Sequence, residues 1–227
     1  MALNVRSNTA TAVKICGITK IHQALEIASL GADAIGVIGV ENSPRFIHEP
    51  ERRELFNELE LKAPNVERVW VVADPSDEVL FNGINGYGLP SVVQLHGNES
   101  IQRCNALKET FPHIRWWKAL RVKREDDLEL IKGYESTVDA ILLDAWTQNV
   151  LGGTGEKLPI EWLKNKEFSI PWWLAGGISS QWIGPALREI NPDGVDASSK
   201  LERYPGVKDL NKVKSLLNIV KNKQKLL

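Results

Sequence analysis

The sequence predicts an α/β chain closed into a single (β/α)8 barrel, and three observations carry that prediction. Short runs of apolar and β-branched residues alternate with helix-patterned segments from Val13 onward. Such alternation means a parallel sheet with helical crossovers. Eight such runs fit within 227 residues, a length that α/β barrels fill as one unit. No linker, low-complexity tract or close internal repeat divides the chain. Residues 1–12 are therefore expected to form a loose polar lead and residues 13–227 one barrel domain.

The first run, Val13 to Thr19, places Val13, Ile15 and Ile18 in a strand that Gly17 interrupts. Thr19 is positioned to cap a helix whose apolar residues Ile21, Leu25 and Ala28 recur at i, i+4 and i+7. Gly31 closes that helix, and Ala34 to Val40 is a second strand bounded by Asn42-Ser43-Pro44. Glu49 to Lys62 reads as a charged helix and Val66 to Ala73 as the third strand, after which Asp74-Pro75-Ser76 breaks the chain and caps a short helix. Ser91 to Leu95 is the fourth strand, and Ile101, Cys104 and Leu107 mark the buried face of the next helix.

Arg115 to Val122 supplies the fifth strand, followed by a charged helix-favouring stretch around Leu128 and Ile131. Val138 to Leu143 is the sixth and ends at Asp144. The glycine-rich Gly152-Gly153-Thr154-Gly155 reads as a flexible loop before a weak helix near Ile160 and Leu163. Trp172 to Ala175 is the seventh strand and stops at Gly176-Gly177, after which Ser179 caps a helix carrying Trp182, Ala186 and Ile190. Gly194 to Ala197 is the short eighth strand, and a last helix carries Leu210, Val213, Leu217 and Val220.

Composition narrows the function classes. A net charge of −1 gives no basic surface for nucleic acid or anionic membrane. No apolar run approaches the roughly 20 residues that span a bilayer. Two cysteines, Cys16 and Cys104, stand far apart outside any metal-ligand spacing, and the four histidines are scattered, so neither disulfides nor a metal site are expected. A cytoplasmic protein, monomer or homodimer, follows as the expectation.

Parallel barrels do their chemistry at the carboxyl ends of the strands. Cys16 ends the first strand, Arg45 follows the second, His96 ends the fourth and Asp144 the sixth; Gly176-Gly177 and Ser198-Ser199 follow the seventh and eighth. Loops after the last two strands commonly bind phosphate through backbone N–H groups. Gly177, Ser198 and Ser199 therefore point to a small phosphorylated substrate. Taken singly, Cys16 could be a buried packing residue and Asp144 a turn residue. A carboxyl facing a thiol across one mouth makes instead an acid–base pair suited to moving protons between adjacent atoms. Alternation sets Lys14 on the same strand face as Cys16, either favouring its thiolate or pairing with an interior acid.

These residues resemble those of the phosphoribosylanthranilate isomerase family of tryptophan biosynthesis. The likeness is carried by Lys14-Ile15-Cys16-Gly17-Ile18-Thr19, Gly31-Ala32-Asp33 with Ser43-Pro44-Arg45, and Val93-Gln94-Leu95-His96-Gly97. It continues through Leu142-Leu143-Asp144 with Gly152 to Gly155, Leu174 to Gly177, Val195 to Ser199 and Pro205 to Asp209. The resemblance implies an Amadori rearrangement of N-(5-phosphoribosyl)anthranilate without metal or cofactor. Asp144 is then the general acid and Cys16 the general base. Arg45 faces the anthranilate carboxylate, His96 contacts substrate, and Gly177, Ser198 and Ser199 hold the phosphate. Two positions depart from the family pattern: Ile38-Gly39, where bulky aromatics are frequent, and Lys200, where glycine is usual. Trp146 is a candidate wall for the aromatic ring. The rivals are a metal-dependent epimerase, an indoleglycerol-phosphate synthase and a barrel that binds a phosphorylated metabolite without converting it.

Overall fold

Short β-branched runs have too few residues for a stable helix but bury well between two helical layers, and here all eight become strands of one closed parallel barrel. The computed structural model describes residues 10–145 and 157–222. In chain order the elements are β1 (Ala12–Cys16), α1 (Ile21–Ser29), β2 (Ala34–Ile38), α2 (Glu49–Lys62), β3 (Glu67–Val72) and α3 (Asp77–Ile84). They continue with β4 (Val92–Leu95), α4 (Ile101–Thr110), β5 (Arg115–Val122), a 3-10 turn (Glu125–Leu130) leading into α5 (Ile131–Tyr134), and β6 (Ala140–Ala145). A 3-10 turn (Ile160–Trp162), β7 (Trp172–Leu174), α6 (Ser180–Glu189), β8 (Gly194–Ala197) and another 3-10 turn (Ser199–Leu201) follow. A small antiparallel pair, β9 (Glu202–Tyr204) and β10 (Val207–Lys208), precedes α7 (Leu210–Asn222).

Each barrel strand pairs with its sequence neighbour, and β1 pairs with β8 to close the ring, with Lys14 opposite Asp196 and Ile15 opposite Ala197. The two-residue pleat divides the core in two. Val13, Ile15, Ile35, Val93 and Ile141 face outward to the helices, whereas Cys16, Val71, Trp117, Leu142, Trp173 and Ala175 fill the barrel. Trp117 and Trp173 stack inside it at a ring-centroid distance of 4.6 Å.

Local expectations fail where a tertiary contact overrides them. Thr19 does not cap α1: its hydroxyl donates to the Gly206 carbonyl at 2.8 Å, and Lys20 stands at the cap position without a side-chain bond. The buried face of α1 is Gln23, Ala24 and Ile27 rather than one led by Ile21, which is exposed. Gln23 is drawn inward because its amide exchanges two hydrogen bonds with the backbone of Lys208. Ile101 likewise points outward, leaving Cys104 and Leu107 to bury α4. Ser76 caps α3 as expected, accepting from Val79 N, but Ser179 precedes α6 without a capping bond. The segment near Ile160 is a single 3-10 turn. The β9–β10 pair was not foreseen.

Candidate active site

Alternation along β1 turns both Lys14 and Cys16 into the barrel, and Cys16 reaches its carboxyl end. Above it opens a cavity of about 560 Å³ whose walls include Cys16, Ile38, Arg45, Gln94, His96 and Asp144. Gly176, Gly177, Asp196, Ser198, Ser199 and Lys200 complete the rim. Every site residue expected from the sequence therefore borders one mouth. Trp146 and Gly152 to Gly155 lie outside the described residues.

Cys16 is buried, and burial pushes its thiol above the ordinary range; the Lys14 ammonium pulls it down while the Asp196 carboxylate pushes it up. Lys14 donates to Asp196 Oδ2 at 2.8 Å with its own side chain fully enclosed. Burial alone lowers the Lys14 pKa, but the facing Asp196 charge and hydrogen bond, with the neighbouring Cys16, leave it raised. Lys14 thus has both of its anticipated neighbours at once: an interior acid and the thiol. Gly36 makes room for this group, since a Cβ there would stand 2.7 Å from Cys16 Sγ.

Asp144 is the last inward-facing residue of β6, and its Oδ2 lies 3.5 Å from His96 Nε2. Gln94, two residues before His96 and on the same face of its strand, holds the imidazole from behind, with its amide 3.0 Å from His96 Nδ1. Among the described residues, Gln94 Oε1, His96 Nε2 and Asp196 Oδ1 are buried with no hydrogen-bond partner. Such atoms carry a desolvation cost that a polar ligand relieves.

Arg45 reaches the mouth over Gly17, whose positive φ of +76° and missing side chain both matter: a Cβ would stand 2.5 Å from Arg45 Cδ. Its guanidinium donates through Nε and Nη2 to Glu202 at 2.9 and 2.7 Å. Gly177 also holds a positive φ of 61° and, lacking a side chain, presents its backbone to the cavity. Ser198 donates its hydroxyl to the Cys16 carbonyl at 3.0 Å and receives Lys208 Nζ. That hydroxyl is committed within the fold.

The two departures resolve locally. Lys200 lies in the short 3-10 turn after β8 and is not among the residues with positive φ, so no glycine conformation is required of it. Ile38 lines the cavity, while the space a side chain at Gly39 would take holds the Trp70 indole, 2.2 Å from the position of its Cβ. Sequence reasoning missed Gln94, Asp196, Glu202 and Lys208. The first two share a strand face with predicted residues and were open to the alternation argument; Glu202 and Lys208 belong to the unforeseen β9–β10 pair.

A sequence model of the family described as N-(5'-phosphoribosyl)anthranilate (PRA) isomerase matches residues 13–219. A relative so named from Thermosynechococcus vestitus is 43% identical over 218 residues, covering 95% of this chain and 92% of its own length. One from a Sulfurihydrogenibium species is 42% identical, covering 93% and 99%. The crystal structure of phosphoribosyl anthranilate isomerase from Thermotoga maritima superposes with a TM-score of 0.83 at 31% identity, covering 93% of this chain and 99% of its own. Another solved phosphoribosyl anthranilate isomerase, in complex with reduced 1-(o-carboxyphenylamino)-1-deoxyribulose 5-phosphate, has a TM-score of 0.76 at 30% identity, with the same shares covered.

Proposed function

Because this chain belongs to the N-(5'-phosphoribosyl)anthranilate isomerase family, we propose that it converts N-(5'-phosphoribosyl)anthranilate, an aminoaldose, into the 1-deoxyribulose aminoketose in tryptophan biosynthesis. It does so without a cofactor, through Asp144 and Cys16. Asp144 donates a proton to the ribose ring oxygen. The ring C–O bond breaks as the anilino nitrogen lone pair forms an iminium. The Cys16 thiolate then takes the proton from C2, and the C–H electron pair forms the C1=C2 bond of an enolamine. Tautomerisation adds a proton at C1 and removes one from the C2 hydroxyl, leaving the ketone. A proton passing from Cys16 to Asp144 through solvent restores both groups.

The observation that carries this reading is that a buried thiol, a carboxyl, an arginine fork and a glycine pair border one cavity. Arg45 suits a planar carboxylate, and Gly177, Ser198 and Ser199 offer backbone N–H groups to phosphate. The unpartnered Gln94 Oε1 and Asp196 Oδ1 accept hydroxyls of the sugar, and His96, its Nε2 equally unpartnered, faces substrate beside the Asp144 carboxyl. The reading also places the enzyme in the cytoplasm, where a thiol base stays reduced.

The test is turnover of freshly made phosphoribosylanthranilate, followed by the change in anthranilate fluorescence. Cys16→Ala and Asp144→Asn should each lower kcat by about 10²–10⁴-fold with the circular dichroism spectrum unchanged. Wild-type-like turnover in either variant removes that residue from the chemistry.

A further inference from the structure

Arg45 and Glu202 are brought together across 157 residues of sequence by the hairpin that follows β8. A guanidinium presents five N–H donors in a fixed plane. Glu202 takes the side edge, Nε and Nη2, at 2.9 and 2.7 Å. Among the described residues nothing bonds Nη1, so the end of the fork is left for the mouth that Arg45 lines. Glu202 does not line that cavity. Its carboxylate is buried and held from its other sides: Oε1 also accepts from Lys208 Nζ at 2.7 Å and from Gly206 N at 3.2 Å. Gly17 confines the Arg45 stem from below.

From this arrangement we infer that Glu202 is a positioning residue that aims the Arg45 fork at the carboxylate of the substrate's aromatic half. The inference rests on the reading of Arg45 given above. Free to rotate, an arginine at the rim would meet a carboxylate with one donor or another. Clamped along one edge, it offers a single planar pair that is already ordered when substrate arrives. Pairing with Glu202 also fixes the plane of the guanidinium, so Arg45 is matched to a planar carboxylate better than to a tetrahedral phosphate. That discourages the phosphate end from binding in reverse. The Glu202 carboxyl stays ionised, as a clamp on a guanidinium must: burial pushes its pKa up, but the hydrogen bonds from Arg45 and Lys208 outweigh that and hold it below the usual range.

The test is a double-mutant cycle on steady-state turnover with wild type, Glu202→Gln, Arg45→Ala and the pair combined. Glu202→Gln should raise KM by about 10-fold, the loss typical of one charge-assisted hydrogen bond, with kcat within about twofold of wild type. Arg45→Ala should raise KM at least as much, and the double variant should match Arg45→Ala alone. Glu202→Asp, which keeps the charge but withdraws it by one methylene, should fall between wild type and Glu202→Gln, and it replaces the latter in the cycle if that variant does not fold. KM increases that multiply in the double variant would show that Glu202 acts independently of Arg45 and overturn the inference. So would a fall in kcat at unchanged KM. A wild-type chain without turnover overturns the functional reading, and this inference with it.

Discussion

Lys14 serves two anions at once. Its ammonium balances Asp196 across the closing seam of the barrel, and the same charge opposes the upward push of burial on the Cys16 thiol. A base must be deprotonated to act, so on the role proposed for Cys16 activity should rise with pH as the thiolate forms, and kcat/KM reports that titration in the free enzyme. Lys14→Met removes the downward pull and leaves the Asp196 carboxylate pushing the thiol up, so the rising limb should move to higher pH. Alkylation of Cys16 should slow in parallel at any fixed pH. The same change strands a buried carboxylate, which costs about 3–5 kcal/mol when a buried pair is broken, so the denaturant midpoint should fall. An unmoved limb together with an unchanged alkylation profile would mean that Lys14 has only its structural duty. Alternation alone put Lys14 beside Cys16 and left open whether it would serve the thiol or pair with an interior acid. The identity of that partner was not legible, because Asp196 becomes a neighbour only when strands 182 residues apart in sequence meet.

Elements were legible wherever local composition marks them, as an apolar run or as a charged, helix-favouring stretch. β5 and β8 fall at the expected boundaries, and so does α2, whose first turn carries Glu49 and Glu51 and whose last carries Lys62. The α1 face was misread because Gln23 is polar by type yet buried by partnership with Lys208. The β9–β10 pair was invisible because five strand residues hold no alternation to count; only the Pro205-Gly206 turn announced it. Glycine at position 39 is a packing choice of a different kind. The Trp70 indole is wedged between Gly39 and Gly83, with the Arg52 guanidinium 4.5 Å over its ring, and burial lowers that arginine's pKa to about 10. Gly39→Ala forces the ring off Gly39 and onto Gly83, and overpacking of this kind costs about 1–3 kcal/mol. The near-UV dichroism of tryptophan should change and the unfolding midpoint drop, while KM holds, since Trp70 does not line the mouth. A variant as stable as wild type would show that the indole has somewhere else to go.

At the scale of the whole molecule, closure governs. A ring of eight strands leaves no free edge to template aggregation, and it forces the start and finish of the barrel together. The ties that cross that junction besides the strand ladder include Lys14 to Asp196, Ser198 to the Cys16 carbonyl, Thr19 to Gly206 and Gln23 to Lys208. Contacts so distant in sequence form late, because chain entropy is lost before they return any stabilisation. In refolding from denaturant, recovery of turnover should therefore lag recovery of far-UV ellipticity; coincident traces would contradict a late seam. For a nascent chain the implication is sharper. At about 5–20 residues per second, Cys16 leaves the ribosome on the order of ten seconds or more before Ser198 does, and through that interval the thiol exists without its site. Premature termination anywhere before β8 thus yields no partly active product. Catalytic competence itself certifies that translation has run through the barrel.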